Sequence, residues 1–456
     1  MAGIGFALRR LLAKETYTGL LQAYAYAGVI SAGPWILSIL GILLIGLLSV
    51  SVVEPNTLIT RFQVSVTYLM VFSLVLTGPI QLAFTRFIAD RLFEKRDHLV
   101  LPNFNGVVLV VTLTAGTLGL VLFFTAFRTM GDVYRLLMLS GFVILCDIWV
   151  ATIFLSGMKR YQEIVGLYVL GYAITVASAL LLRPLGMHGL LMGFVIGHFV
   201  LLMGMFTLVL RTYPGERFIA FDFARSGSMY GSLMLSGFLF HLAVWADKIM
   251  FWYNPHTGQA IIGPLRASLI YDLPIFLAYL AIIPGMAVFL VRIETDFAEY
   301  FEKFYDAVRG GGSLETIEEM REEMVFTIRQ GLSEIFKIQG IAALVLFATG
   351  PWIVDHLGIS RLYLPLLYID VVAAGLQVVL LGVLTIFYYL DKRTTVVIVC
   401  TVFLVSNVGL TALSQYLGPP FFGYGFALSV LLAVVLAVRL MEAKLDTLEY
   451  ETFMLQ

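Results

Sequence analysis

Two charged residues, Asp247 and Lys248, lie inside an apolar stretch that runs from 226 to 253. Arg225 precedes 21 residues without a formal charge, enough at about 1.5 Å per residue to cross a hydrocarbon core of about 30 Å. If Trp252-Tyr253 marks the water interface, the two charges lie roughly 7 Å below it. Ionisable groups at that depth are costly unless they face protein or a water-filled cavity, which makes this pair a candidate for a substrate path or for ion coupling. Alternatively, the helix ends near Asp247 and its charges extend outwards to the interface.

Three further acids fall within apolar runs. Asp147 lies 12 residues from both Arg135 and Lys159, hence about 18 Å from each and close to the middle of a bilayer. Asp272 and Asp370 lie nearer the outer side, where an acid is less costly. All three are candidates for a polar lining, and a structural hydrogen bond to a neighbouring helix is the alternative for each.

Uncharged polar residues give weaker signals. His198 and His241 fall mid-span, where a neutral histidine satisfied inside the bundle is more common than a proton relay. Trp35 is one of the few polar groups of the first apolar run, beside the bend that we expect at Gly33-Pro34. Three glutamines are candidates for contacts with sugar hydroxyls: Gln81, Gln162 and Gln377.

Composition defines the class of protein. Hydrophobic residues make up 60% of the 456 and charged residues only 13%, which indicates a polytopic α-helical membrane protein. The net charge of −1 does not point to a nucleic-acid partner. The chain has no phosphate-binding G-x-x-x-x-G-K-[ST] motif and no Cys/His ligand set. We therefore predict neither an enzyme nor a cofactor or metal.

Twelve spans are predicted, with both termini in the cytoplasm. With the N-terminus inside, 22 of the 29 basic residues fall in cytoplasmic segments and seven elsewhere, as the positive-inside rule requires. The predicted spans are 27–53, 62–85, 104–127, 134–157, 164–183, 187–210, 228–253, 267–291, 338–354, 361–390, 394–415 and 420–441. The predicted divisions are an N-terminal amphipathic segment at 1–26, a six-helix bundle at 27–210, a linker at 211–227, a second bundle at 228–441 and a tail at 442–456.

The one large cytoplasmic connection, 292–337, has the pattern of a helical hairpin. Its first helix carries an apolar stripe, Gly310-Gly311-Gly312 breaks it, and Ser313 can cap a second, glutamate-rich helix. The hairpin either packs on the protein's own cytoplasmic face or headgroups, or docks a soluble partner. The candidate docking residues are Phe297, Phe301, Phe304, Tyr305, Met320 and Met324.

The two halves of the chain share features in matching order. Span two ends in Arg86-Phe-Ile-Ala-Asp90 and span eight in Arg292-Ile-Glu-Thr-Asp296. Spans one and seven each carry a Tyr seven residues before a Gly, at Tyr26 and Tyr230. Basic pairs follow spans four and ten, and Pro-Gly turns precede spans six and twelve. These matches predict a six-plus-six duplication, with a pathway between two parallel repeats.

This pattern resembles the multidrug/oligosaccharidyl-lipid/polysaccharide (MOP) flippase superfamily, whose MATE-like fold has two six-helix bundles. The opening Met-Ala-Gly-Ile-Gly-Phe-Ala-Leu-Arg-Arg-Leu and the run from Ala27 to Trp35 are similar, more narrowly, to the integral-membrane subunits of one bacterial exopolysaccharide export machinery. The resemblance implies a Gram-negative inner membrane and a cationic polymer containing N-acetylgalactosamine and galactosamine. It also implies partners: a cytoplasmic glycosyltransferase and membrane subunits, one of which senses cyclic di-GMP.

One departure from the superfamily affects the expected function. Drug exporters of the superfamily commonly use an acid in their first span, and the run 27–53 contains none. We therefore expect a polysaccharide transporter, driven by chain extension or an ion gradient. An ion-coupled exporter of small cationic molecules and a membrane scaffold for the glycosyltransferase are the alternatives.

Overall fold

The computed structural model describes residues 17–157, 161–213, 215, 217–225, 230–356 and 360–454. Nearly all of them are helical, because a backbone surrounded by hydrocarbon must satisfy its own N–H and C=O groups. The helices of the first half are α1 Tyr17–Ser49, α2 Thr57–Phe93, α3 Val100–Thr125, α4 Asp132–Gly157, α5 Tyr161–Leu182 and α6 Met187–Thr212. The second half begins with α7 Gly231–Tyr253 and a short antiparallel hairpin of β1 Gln259–Ile262 and β2 Leu265–Ala267. It continues with α8 Leu269–Leu280, α9 Ile283–Val291, α10 Ala298–Arg309, α11 Leu314–His356, α12 Leu364–Tyr389, α13 Arg393–Leu417, α14 Tyr424–Asp446 and α15 Leu448–Met454.

The described residues contain ten single helices long and apolar enough to cross a membrane. A bent pair, Leu269–Leu280 with Ile283–Arg309, brings the number to eleven, and the two parts meet at 41°. Within α1 only the shorter segment Leu37–Ser49 is apolar enough. The chain is thus a multi-pass membrane protein, whereas the count of twelve spans and the cytoplasmic position of both termini stay predictions.

Three elements differ from the sequence-based expectation. The connection after α7 forms the β1–β2 hairpin, whose turn contains Gly263 at φ 52°, in the left-handed region that favours glycine. The eighth predicted span is broken between α8 and α9, and a π-helical turn, Arg292–Phe297, follows. The second helix of the cytoplasmic hairpin and the ninth span form one continuous helix of 43 residues, α11, because no breaker separates them.

The predicted hairpin itself is present. Gly311 takes a positive φ of 67° between α10 and α11, and the Ser313 hydroxyl accepts a hydrogen bond of 3.3 Å from the Thr316 amide. This contact is the N-terminal cap that the sequence suggested.

The described residues fall into two compact units. One contains those among Gly33–Trp245 and Phe251–Ser268, and the other those among Met1–Ala32, Ala246–Met250 and Leu269–Gln456. In the first unit, Gly193 and Gly197 of α6 lie against Ala179 and Thr175 of α5, where an added Cβ would come within 2.0 to 2.5 Å of the neighbouring residue. In the second unit, Gly425 of α14 lies in the same way against Thr411 of α13. Small residues at these crossings allow the close helix approach that is typical of membrane bundles.

Candidate functional site

Asp247 and Lys248 lie on α7, six and five residues before its end, and neither side chain has any exposed surface. The Lys248 ammonium lies 3.2 Å from both carboxylate oxygens of Asp247. The helix continues to Tyr253, and the charges do not reach outwards, so the alternative of a helix that ends near Asp247 is wrong. Both charged side chains have their bonding partners inside the second unit.

Three side chains from two other helices complete the surroundings of Asp247. Tyr271 of α8 donates a hydrogen bond of 2.7 Å to Oδ2, and Asn407 of α13 donates one of 3.3 Å to Oδ1. Thr411, one turn along α13, donates to the Asn407 amide oxygen at 2.9 Å and so orients that amide. Asp247 therefore accepts hydrogen bonds from an ammonium, a phenol and an amide, which replace the water that a buried carboxylate loses.

Lys248 has its own set of partners. Its ammonium donates to the Tyr279 hydroxyl at 3.2 Å, and Tyr279 in turn donates to Gln377 of α12 at 3.2 Å. The ammonium also lies 4.1 Å from the ring centroid of Phe426 on α14. A carboxylate, a phenol and an aromatic face together replace the water that a buried ammonium loses.

Asp370 of α12 belongs to the same unit and is also completely buried. Neither of its carboxylate oxygens has a hydrogen-bond partner among the described residues, although Lys248 and Asp247 are close enough to act on it electrostatically. Gly423, at φ 86°, lies beside it, since an added Cβ would come within 3.2 Å of Oδ1. Asp370 is the acid of the site that lacks a donor.

Helical spacing explains how four helices supply these groups. Tyr271 and Tyr279 are eight residues apart on α8, Asp370 and Gln377 seven apart on α12, and Asn407 and Thr411 four apart on α13, and each of these spacings places both residues on one helix face. We call the resulting group the charge cluster: Asp247, Lys248, Tyr271, Tyr279, Asp370, Gln377 and Asn407. Sequence reasoning named its three charges and Gln377 but missed the two tyrosines and the asparagine. The Asn407/Thr411 spacing was a weak signal for that helix.

Asp272 and Asp147 are placed elsewhere. Asp272 is partly exposed in the first turn of α8 and has an interaction partner of its own. Asp147 lies in the first unit, 4% exposed, where its Oδ2 accepts a hydrogen bond of 2.8 Å from Thr112 of α3. Its Oδ1 has no partner among the described residues. Asp147 is thus a separate buried acid, outside the charge cluster.

Two other uncharged candidates, Gln81 and His241, lie outside the cluster. Gln81 is buried and donates to Thr77 on its own helix at 2.9 Å. His241 is partly buried on α7, where its ring lies against Gly78 of α2, 2.8 Å from where a Cβ would be. Trp35 falls within α1, but its side chain lies outside the described part of the chain. The described residues contain no group of three His, Cys, Asp or Glu side chains arranged to hold a metal ion.

The candidate docking residues of the cytoplasmic hairpin pack largely against the chain itself. Phe297, Phe304 and Met324 have no exposed surface, and the ring of Tyr389 on α12 lies 5.3 Å from those of both Phe297 and Phe301. Phe301, Tyr305 and Met320 are partly exposed. A docking role stays a prediction, and it would have to use the partly exposed members.

The sequence matches the model of a protein family over nearly its whole length. The family is described as "PelG: Putative exopolysaccharide Exporter (EPS-E)", and its model matches residues 1–453. A comparison with curated protein sequences finds no match for the chain.

Solved structures with a similar fold are transporters of the MOP superfamily. An outward-facing multidrug resistance MATE family transporter aligns with a TM-score of 0.67 and 15% identity, over 94% of this chain and 96% of that one. A MOP superfamily transporter from Pyrococcus furiosus, whose binding pocket is described as having reverse polarity, aligns with a TM-score of 0.65, 14% identity and the same coverage of both chains. An inward-facing MATE family structure aligns with a TM-score of 0.59 and 13% identity, over 92% of this chain and 99% of that one. At these identities the likeness establishes the fold alone.

Proposed function

Because the chain belongs to the PelG family of exopolysaccharide exporters, we propose that it moves a hexosamine-containing polysaccharide, Pel, across the bacterial cytoplasmic membrane. Its MOP transporter fold supports the transport role. The polymer would come from a cytoplasmic glycosyltransferase, which works with this chain and with further membrane subunits.

The charge cluster is the single observation that carries the proposed mechanism. Two carboxylates and one ammonium are buried together, so the ionised cluster has a formal charge of −1 away from the protein surface. Such a charge is costly, and binding one proton or one cationic group removes it. Asp247 is already stabilised by three donors, which leaves Asp370 as the group that takes up the proton or meets an ammonium group of a hexosamine.

In this mechanism Lys248 limits how strongly the cluster attracts a cation. Its ammonium neutralises Asp247, so only one carboxylate remains to be balanced. A single unbalanced charge suits weak and reversible attraction of a passing cationic polymer, because a site that binds tightly would stop its movement. The energy for movement would come from chain extension by the partner or from a proton gradient.

Secretion of the polymer by cells that carry Asp370→Asn or Asp247→Asn/Lys248→Met tests this proposal. We expect secretion to fall at least tenfold at normal membrane levels of the protein, because Asp370→Asn removes the unbalanced carboxylate and the double change removes the ion pair beside it, including the ammonium that limits its attraction for a cation. Asp132→Asn is the matched control, since Asp132 is exposed at the start of α4 and pairs with Arg135 on the same helix. Unchanged secretion in both cluster variants would contradict the mechanism.

The same variants separate the alternative functions. If the chain is instead a scaffold for the glycosyltransferase, polymer secretion should persist in the cluster variants and stop when the hairpin 292–337 is removed. An exporter of small cationic molecules should lose tolerance of cationic toxins in the cluster variants while polymer secretion stays normal.

A further inference from the structure

A tyrosine, an arginine and an aspartate meet at the start of α7. The Tyr230 hydroxyl donates a hydrogen bond of 2.8 Å to Asp90 Oδ2 near the end of α2. Arg86 Nε lies 3.1 Å from Asp90 Oδ1, and the Arg86 guanidinium carbon lies 5.9 Å from the centroid of the Tyr230 ring. We call these three residues the first clasp. It joins the first helix of the second sequence half to the second helix of the first half.

The same residue types meet at the start of α1. Arg292 directly follows the last residue of α9, and its side chain interacts with the Tyr24 hydroxyl. It also donates to Asp296 at 2.8 Å and to Glu334 of α11 at 2.6 Å. We call these four residues the second clasp. It joins the first helix of the first sequence half to the second helix of the second half.

The two clasps occupy equivalent positions in the duplicated sequence. In each, an Arg and an Asp four residues apart end the second helix of one half, and a Tyr from the first helix of the other half meets the arginine. The sequence comparison had paired Tyr230 with Tyr26, but the residue on Arg292 is Tyr24, two positions earlier; the Tyr26 side chain lies outside the described part. Two independent copies of one arrangement argue against a chance contact.

We propose that the two clasps are positioning residues that hold the N-terminal parts of α1 and α7 against the second helix of the other sequence half, and that both open during each transport cycle. This inference rests on the proposed transport function. Both clasps lie at the end of the spans that the basic residues predict to be cytoplasmic.

The exposure of the clasps suits contacts that break and re-form. The Arg86 and Asp90 side chains are 42% and 28% exposed, and those of Arg292 and Asp296 are 28% and 27% exposed. Water can therefore replace each partner when the contact opens, unlike in the charge cluster, whose charged side chains have no exposed surface.

The two clasps differ in strength. Arg292 has two acids and a phenol, whereas Arg86 has one acid and the phenol of Tyr230. Charge-assisted hydrogen bonds are about twice as strong as neutral ones, so the additional bond to Glu334 makes the second clasp the harder one to open. The first clasp is therefore the one that opens first.

The labelling rate of a buried cysteine near the first clasp measures how often that clasp opens. Ser236 lies on α7, six residues after Tyr230, and has no exposed surface, so Ser236→Cys introduces a protected thiol next to the first clasp. The native cysteines, Cys146 and Cys400, are buried and serve as internal references. We expect Tyr230→Phe to raise the rate of maleimide labelling at position 236 in the purified full-length protein. The expected factor is about two to ten, the range that one lost hydrogen bond allows.

Matched variants make the result specific. Tyr134→Phe is the control, because it removes another buried hydroxyl, bonded to Ser65 at 2.8 Å, without touching a clasp. Tyr24→Phe alone should have a smaller effect than Tyr230→Phe, and the double variant should label faster than either. The exchange Arg86→Asp/Asp90→Arg, which keeps an ion pair at that position, should label more slowly than Asp90→Asn.

Labelling of the Tyr230→Phe and double variants at the rate of Tyr134→Phe would overturn the proposal. If Tyr230→Phe lowers the yield of folded protein, Asp90→Asn tests the same bond from its other side. Labelling needs no substrate, so it is independent of the proposed function. Failure of that function would appear instead as normal polymer secretion in the Asp247 and Asp370 variants.

Discussion

At the scale of single residues, the charge cluster shows how a membrane interior tolerates an ion pair. Asp247 and Lys248 have no contact with solvent, and each has partners beyond the other: a phenol and an amide for the carboxylate, a phenol and an aromatic ring for the ammonium. A buried pair with such additional partners is stable as a unit, although either charge alone would be costly.

This interdependence gives a prediction for stability. We expect Lys248→Met to destabilise the protein by about 3–5 kcal/mol, because Asp247 then keeps a buried charge without its cation. The double variant Asp247→Asn/Lys248→Met should be closer to the wild type, since the pair is removed as a unit and position 247 no longer carries a charge. Apparent melting temperatures of the purified proteins in detergent measure the difference, and a double variant less stable than Lys248→Met would contradict the prediction.

At the scale of elements, close helix approach depends on glycine in the first unit. A Cβ on Gly237 of α7 would lie 2.3 Å from the carbonyl oxygen of Gly78 on α2, which leaves no room for a methyl group. The approach brings Ser236 and His241 of α7 next to α2, and Tyr230 onto Asp90. The close backbone contact and the first clasp therefore both hold α7 against α2.

Gly237→Ala should destabilise the protein by about 1–3 kcal/mol, because the backbones must separate to admit the methyl group. Gly340→Ala is the control: it lies within α11 with nothing within 4 Å of its would-be Cβ. There the helix preference of alanine should be neutral or stabilising by about 0.5–1 kcal/mol. Melting temperatures that rank Gly237→Ala equal to Gly340→Ala would show that α2 and α7 do not pack this closely.

The C-terminal helix α15 is held by ion pairs outside the membrane spans. Glu451 is bonded to Lys392, before α13, and at 2.7 Å to Lys444, near the end of α14. These two ammonium groups lower the pKa of Glu451 to about 2, against an ordinary value of 4.5. Because the pKa of Glu451 is lowered, its ionised carboxylate stabilises the docked helix at pH values above about 4.5. This stabilisation disappears as the pH falls from about 4.5 towards 2.

Amide hydrogen exchange in α15 tests whether the ion pairs of Glu451 hold this helix in place. Glu451→Gln should speed exchange relative to the wild type at pH 6, because the uncharged amide loses both ion pairs. The difference between the two proteins should shrink when they are compared at pH 3, where Glu451 in the detached helix is already protonated. Glu442→Gln, an exposed residue of α14, is the control. An equal difference at pH 6 and pH 3 would contradict the assignment.

At the scale of the whole molecule, the orientation in the membrane follows from the distribution of basic residues. The 22-to-7 split predicts that the hairpin 292–337 is cytoplasmic and that the β1–β2 hairpin faces outwards. Each segment has an exposed position suited to a cysteine, Ser313 in the first and Gln259 in the second.

We expect Gln259→Cys to react with a membrane-impermeant thiol reagent in spheroplasts and Ser313→Cys to react only in inside-out vesicles. The physical basis is the cost of moving clustered positive charge across the membrane during insertion. The two native cysteines are buried and should contribute little background. The reverse pattern of labelling would contradict the predicted orientation.

The sequence by itself determined the class of the protein, the family to which it belongs, and the charges that lie within its spans. These follow from composition, from long apolar runs and from an N-terminal motif, all of which are local properties of the chain. Local pattern also predicted the helical hairpin and its serine cap. A charge inside an apolar run is visible without knowing what it touches, which is why Asp247, Lys248 and Asp370 could be named.

Only the tertiary structure decided which of those charges act together. Asp147 and Asp370 looked alike in sequence, yet one bonds to Thr112 alone and the other joins Asp247 and Lys248. Tyr271, Tyr279 and Asn407 were missed because a polar side chain in a membrane helix gains its role from the helix opposite, which local pattern does not specify. The same reason explains why Tyr24, two residues from the expected Tyr26, is the one that meets Arg292: helix rotation is set by packing, and packing is not written in any single stretch of the chain.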